Sequence, residues 1–579
     1  MSEQSISDFT RIETDVLIIG AGGAGLRAAI EASDNGAKVV VLSKSLLGKA
    51  HTVMAEGGVA ASLGNVDSKD NWGIHFADTV VEGVHLGDWR LAEINAKEAP
   101  DRIYELEKYG AMFDRTPDGR ILQRAFGAHT YRRLCHVGDK TGLEMIRTLE
   151  DQVLHRDIKV HDETVVTKIF KKDGRAVGAL AFEMRTGKFM AIKSKAVILA
   201  TGGGGRLFKV TSNSWESTGD GFALAFDAGA TLMDMEMVQF HPTGMVYPPG
   251  VRGMLVTEGV RGEGGILLNS KGERFMKTYS PNKMELDARD VVARSIYNEI
   301  QEGRGTEHGG VYLQIHHKGA KFILDKLPGM HSQFLEFAGV DITKENMEVA
   351  PTTHYYMGGI KIDPEDNQTT LPGLFACGEA ATGLHGANRL GGNSLIDLLV
   401  FGRRTGQSAA KYTKDAQPAD VSENDIIEEI SRVTGFLNKP SAVNPYELIN
   451  ELRDTMSKYA GIRRTEENLT TALDILLKIK GRYSEIGVAG NVRFNPGLIA
   501  CFELHSLLTT GELLLRGAIQ RKESRGAHFR SDYPKMSEEF KRNITWHMEG
   551  NEVKSSFSTM PELPPEMVKI VGQVEGHTQ

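Results

Sequence analysis

Cysteine is scarce in this chain: three in 579 residues, at Cys135, Cys377 and Cys501. Spacing that wide excludes a disulfide framework, and no C-x-x-C pair offers ligands to zinc or an iron–sulfur cluster. Reduced, intracellular thiols are the expectation, and no metal site is read. An excess of positive charge is lacking too. With 68 Lys and Arg against 76 Asp and Glu, the net charge is -8 and the pI near 6.2, which excludes non-specific nucleic-acid binding. No run of about 18–20 apolar residues, enough to span a bilayer, is read. Met1 to Glu13 is polar and acidic without the basic-then-apolar pattern of a leader, so membrane contact is expected only through a partner. Repeats at solenoid period and low-complexity tracts are also missing.

Glycine, by contrast, is abundant. Its 64 residues exceed the usual share of about 7%, and they gather in short motifs such as Gly202–Gly205, Gly262–Gly265 and Gly391-Gly392 rather than in a linker. Backbone passing close to a large ligand needs such residues. The turn Gly20-Ala21-Gly22-Gly23-Ala24-Gly25 follows the apolar run Val16–Ile19 and opens a helical pattern, about 24–34, before a second strand Lys38–Leu42. Backbone N–H groups and the positive helix end then suit a dinucleotide pyrophosphate. The second strand ends in Ser43-Lys44, not in the acid that would hold an NAD ribose, so FAD is the preferred nucleotide. Further strands run into small-residue turns at Ala196–Gly204 and Gly373–Glu379, where an open α/β sheet binds cofactors.

His51 lies in Lys49-Ala50-His51-Thr52-Val53-Met54-Ala55-Glu56-Gly57-Gly58. A lone histidine is more often structural, but these small neighbours allow a flat ring to approach and the imidazole to bond to it. Candidate cofactor contacts are Gly20, Gly22, Gly23, Gly25, Ser43, Lys44, His51, Thr52, Glu56, Gly57, Gly58, Thr201 and Gly202. Other segments set charged and imidazole side chains among glycines: Gln239–Gly244, Thr257–Gly265, Met284–Asp290, Thr353–Gly359 and His385–Leu395. Guanidinium forks and imidazolium groups suit a small dicarboxylate, whose ends accept charge-assisted hydrogen bonds.

Together these segments closely resemble the flavoprotein subunit of succinate dehydrogenase and fumarate reductase (the FAD-dependent oxidoreductase 2 family), from about residue 14 to 534. The motifs that carry the resemblance are HTVMAEGG, QFHPTG, TEGVRGEGG, RDVVARS, HYYMGG, HGANRLGGNSL and RKESRGAHFR. It implies an α/β fold: a Rossmann-like FAD-binding domain (1–238 and 350–424), an inserted α+β capping domain (239–349) and a helical domain (425–545). An irregular C-terminal tail (546–579) is expected. Helical periodicity supports the third part, with Ile426, Ile430 and Val433 behind Ser422, and Leu448, Leu452 and Met456 behind Asn444-Pro445.

Residue by residue, the resemblance implies that His51 forms a covalent 8α-histidyl bond to FAD. Asp220, Glu379, Ser394 and Leu395 match flavin contacts. His241, Thr257, His354 and Arg389 match residues that hold the carboxylates of succinate or fumarate. Arg289 matches the proton-transfer residue, with Glu258 and Arg261 as its relay to solvent. With no cluster-binding cysteines, electrons are expected to pass to an iron–sulfur subunit joined to a quinone-reactive membrane anchor, placing the chain peripherally on the cytoplasmic side of the cell membrane. Succinate oxidation is the preferred direction. Glu56 stands where reductases of the family tend to carry glutamate and dehydrogenases glutamine, so physiological fumarate reduction is the alternative. L-aspartate oxidase, disfavoured by His51, and a flavin-bearing subunit without turnover are the remaining ones.

Overall fold

Apolar runs without alternation suit parallel strands buried on both faces, and three of them lie side by side in the fold. A computed structural model describes residues 9–440, 442–550 and 552–578. The first eight residues, part of the polar start read as carrying no leader, lie outside it. Strand β1 (Phe9–Ile19) ends in Val16–Ile19, all buried, and pairs in parallel with β2 (Val39–Leu42) and with Phe189–Leu199. Leu374–Ala376 joins the far side of Phe189–Leu199, also in parallel. The carboxyl ends of these strands therefore share one edge of a seven-stranded sheet. Between β1 and β2 runs helix α1 (Gly23–Asp34), close to the expected 24–34.

Region 239–349 holds most of a second, four-stranded antiparallel sheet: Val238–Met245, Met347–Tyr356, Val311–Gln314 and Ile266–Leu268, in that order. Its apolar cluster, including Leu267, Val292, Ile296, Leu313 and Phe334, is separate from those of the first sheet. The two longer strands return the chain to the nucleotide-binding region, the second running on to Tyr356.

The helical texture resolves into Glu423–Thr434, Pro445–Tyr459, Glu466–Gly481 and Pro496–Gln520. Asn444 caps its helix by accepting from Tyr446 N–H, whereas Ser422 stands at the N-cap with no side-chain bond, and Glu423 and Asp425 in the first turn face the helix dipole instead. Pro496–Gln520 corrects the expectation about apolar length: it is long and apolar enough to cross a bilayer, but 83% of that stretch is buried inside the protein. It is a core helix here.

A second correction concerns 546–579. Arg542–Glu549 and Glu552–Thr559 form an antiparallel hairpin that joins the short strand Leu232–Met233, and Pro565–Thr578 is a helix. Buried Ile544 and Trp546 anchor the hairpin, and Met567, Val571 and Val574 bury one face of the helix in the main core. That helix packs on α2 (Trp72–Glu82).

Candidate active site

A cleft with about 1640 Å³ of unfilled space, part of it open to solvent, begins at the carboxyl edge of the parallel sheet. Every candidate named from the sequence lines it except Gly25 and Arg261. At one end is the glycine turn. Gly20 has φ +112°, and a Cβ there would lie 2.2 Å from Ala200 O. A Cβ at Gly25 would lie 1.9 Å from Gly20 O, so Gly25 lets α1 pack on the turn rather than touching a ligand. Gly22 caps α1 without a side-chain bond, no acid occupies the first turn, and Gly23 N–H donates to Thr52 Oγ1 at 3.2 Å. The helix end is thus free to receive an anion.

Ser43 and Lys44 follow β2. Lys44 Nζ lies 2.8 Å from Asp220 Oδ2 and 2.8 Å from Glu503 Oε1. Burial alone would lower its ammonium pKa, but the two carboxylates push it above the usual range. Asp220 is therefore held by Lys44 and by Thr218, whose hydroxyl donates to it at 2.8 Å.

His51 opens a short 3₁₀ turn, and its two nitrogens both meet donors. Ser214 N–H donates to Nδ1 at 3.2 Å, and Asn213 Nδ2 lies 3.1 Å from Nε2. Loss of solvation lowers the imidazole to about 4, against an upward pull from Glu216. Glu379, whose Oε1 accepts from Tyr356 N–H at 3.0 Å, is raised to about 7 by burial. Glu56 is pushed well above the usual carboxylate range, by burial and then by Asp139. Gly57, Gly58, Thr201, Gly202, Ser394 and Leu395 complete this part of the wall.

Four basic side chains converge at the other end. His241 and His354 rings are 5.1 Å apart. Burial, reinforced by neighbouring cationic groups, holds both well below the usual imidazole value. Buried Arg289 donates from Nε to Glu258 Oε2 at 2.8 Å, and Arg261 Nη2 approaches the same oxygen at 3.5 Å. Burial would raise Glu258, but the two guanidiniums hold it far below the usual carboxylate range. Arg389 is lowered to about 9 by burial and then by Arg289. Thr257, beside Glu258, is buried in the same wall. Arg261 sits behind Glu258, outside the lining, and donates to Glu285 O.

Two residues inside the quoted motifs acquire roles the sequence reading did not give them. Gln239 Oε1 accepts from Arg289 Nη1 at 3.3 Å and from Arg389 Nη2 at 3.0 Å. Asn388 Oδ1 accepts from Gln239 Nε2 at 2.8 Å. Their place two residues before His241 and one before Arg389 was the available signal.

The cleft fits FAD on its own terms. Side chains at the glycine turn would fill it, and buried polar atoms along it lack protein partners: Thr201 Oγ1, Ser214 Oγ, Glu56 Oε2 and Arg389 Nε. Fold and cleft define an FAD-dependent oxidoreductase. Comparison with known proteins narrows this. Residues 15–395 match the family described as FAD binding domain, and residues 449–570 match Fumarate reductase flavoprotein C-term. The chain belongs to the flavoprotein-subunit family of succinate dehydrogenase and fumarate reductase. It is 48% identical to one of the subunits of Fumarate reductase (CoM/CoB) from Methanothermobacter marburgensis, over 92% of this chain and 96% of that one. To the succinate dehydrogenase flavoprotein subunit of Coxiella burnetii it is 42% identical, over 90% and 92%. Among solved structures, Mycobacterium smegmatis Sdh1 in complex with UQ1 matches with a TM-score of 0.87 and 49% identity, covering 96% of both chains. E. coli quinol fumarate reductase FrdA gives 0.90 and 35%, covering 96% and 98%.

Proposed function

We propose that the chain is the catalytic flavoprotein subunit of a succinate:quinone oxidoreductase that oxidises succinate to fumarate. The observation that carries this is the convergence of His241, His354, Arg289 and Arg389 in the cleft that the glycine turn opens. FAD, when bound, supplies the hydride acceptor. Gly20, Gly22 and Gly23 with the α1 N-terminus would hold its pyrophosphate, and Glu379, Ser394 and Leu395 its ring system.

Arg389 and the two imidazoles take the carboxylates, and Thr257 supplies a hydroxyl. This fixes the dianion and stabilises charge that builds at the carboxylate as an adjacent C–H bond breaks. Arg289 handles the proton. Arginine is an awkward base, since its ordinary pKa exceeds about 12. In the oxidising direction, proton arrival from carbon must accompany Nε–H transfer to Glu258. In the reducing direction Arg289 simply donates, and Glu258 and Arg261 recharge it.

When FAD is bound, His51 would carry it, through a covalent bond to the 8α carbon. Its two nitrogens face two N–H donors and no acceptor, so either neutral tautomer sets one N–H against another. Bonding of either nitrogen to the flavin would require the donor now facing it, Asn213 or Ser214, to shift aside. Electrons leave through an iron–sulfur subunit to a quinone-reactive anchor, and these partners hold the chain peripherally on the cytoplasmic side of the membrane. Physiological fumarate reduction is the second reading, favoured by Glu56 and by the 48% identity to a fumarate reductase chain. Addition of succinate to the anaerobic holoprotein tests the activity: bleaching of the flavin supports it, and no bleaching, with fumarate unable to reoxidise reduced flavin, refutes it. Identification of the quinone used by the intact complex, with its midpoint potential, decides the direction.

A further inference from the structure

Gln239 sits between two like-charged guanidiniums, and its orientation decides whether they are held together or driven apart. With Oε1 toward them it accepts from both. Turned over, its NH₂ would oppose two sets of N–H donors. What prevents the turn is on its far side, where Nε2 donates to Asn388 Oδ1 at 2.8 Å and to Arg389 O at 2.9 Å. Asn388 is fixed in turn, because both hydrogens of its amide are taken: Nδ2 donates to Glu82 Oε1 at 2.7 Å and to Asp290 Oδ1 at 2.9 Å. Asp290 is also claimed by Arg294, at 2.7 Å through its other oxygen.

Glu82 is the last residue of α2 and is buried. Burial, then the nearby Asp290, Glu258 and Asp287, push its carboxyl well above the usual range, against a downward pull from Arg289. Its Oε1 is the acceptor that holds Asn388. The placement is rigid. Ala387 N–H donates to Gly83 O at 2.9 Å, so residues following Glu82 and preceding Asn388 are tied by backbone. One and two turns earlier, Thr79 accepts from Asn393 at 2.9 Å and His75 Nε2 meets Asn393 Oδ1 at 2.8 Å. Residues 75, 79 and 82 share a helix face, and that face holds the Arg389 loop at both ends.

We infer that Glu82 is a positioning residue for the dicarboxylate reaction, acting through Asn388 and Gln239 to keep Arg289 and Arg389 in register. This rests on the proposed succinate–fumarate activity. The test compares Glu82→Met, which keeps length and helix preference without the acceptor, with Glu82→Gln, which restores a carbonyl acceptor. Each holoenzyme, with its partner subunits, is assayed for succinate turnover and, separately, for malonate binding through the flavin spectrum.

Loss of this hydrogen bond should raise the malonate Kd and succinate KM about tenfold and lower kcat about tenfold in Glu82→Met. Glu82→Gln should restore all three to within about twofold, with flavin content unchanged. Should Glu82→Met fail to retain flavin, Glu82→Ala gives the same readouts. Unchanged Kd, KM and kcat in the variant lacking the acceptor overturn the inference, as does equal damage in Glu82→Gln. Wild type that binds malonate but never reacts with succinate or fumarate refutes the functional reading instead, while the malonate arm still judges Glu82.

Discussion

Raising the pH from 8 to 10 should loosen the holoprotein's hold on malonate, because Arg389 loses its proton in that window. Burial, aided by Arg289, lowers its guanidinium to about 9. Below that value the group is charged and pairs with a carboxylate; above it the pairing is lost. The sign is therefore weaker binding at high pH. For a single proton the affinity falls about tenfold per pH unit beyond the midpoint, so Kd at pH 10 should exceed that at pH 8 by about tenfold. Two imidazoles and one carboxyl of the cleft titrate below this window. His241 and His354 are held well below the usual imidazole value, and Glu379 titrates at about 7. Difference spectra of the flavin, titrated with malonate at fixed ionic strength, provide the assay. A Kd constant to within about twofold over this window would refute the assignment of Arg389 as the carboxylate's partner, or the burial that lowers it.

Arg289→Lys keeps a cation but loses the Nε–H that meets Glu258 at 2.8 Å; turnover in both directions should fall by at least about 100-fold while malonate affinity and bound flavin persist, measured by steady-state rates and spectral titration. His51→Ser should leave FAD removable by acid precipitation, with succinate oxidation lost more readily than fumarate reduction; flavin remaining with the denatured polypeptide would contradict the attachment. Arg521→Leu removes the guanidinium that Asp234, Glu236 and Glu523 share in the interior and leaves the Glu236 carboxylate without its ion pair. The protein should lose about 3–5 kcal/mol of stability, read as a lower Tm by calorimetry.

The sequence resolved what local pattern controls. The glycine turn between an apolar run and a helix was readable because each piece sits within a few residues of the next, and the strands ending near Thr201 and Glu379 announced themselves by the same contrast. The helices after residue 425 were readable from their three- and four-residue steps. The hairpin at 542–559 was not, because Glu552–Thr559 is a mostly exposed edge with no apolar alternation. Met567, Val571 and Val574 did stand at helical spacing, but within a Pro-containing stretch. Apolar length was misjudged at Pro496–Gln520, where scattered polar residues break the run without preventing a long core helix. Glu82 was invisible for another reason: its partner Asn388 lies 306 residues away, and no local window joins them.

The pairing of Lys44 with both Asp220 and Glu503 bears on how the polypeptide can be divided. Glu503 belongs to the core helix Pro496–Gln520, whereas Lys44 and Asp220 belong to the nucleotide-binding portion. A fragment ending near residue 395 would expose the apolar flank that this helix covers and leave the lysine short of a counter-charge beside the cofactor cleft. Splitting the gene at that boundary should therefore yield two insoluble products, and mixing them after synthesis should restore colour only if both halves meet while folding.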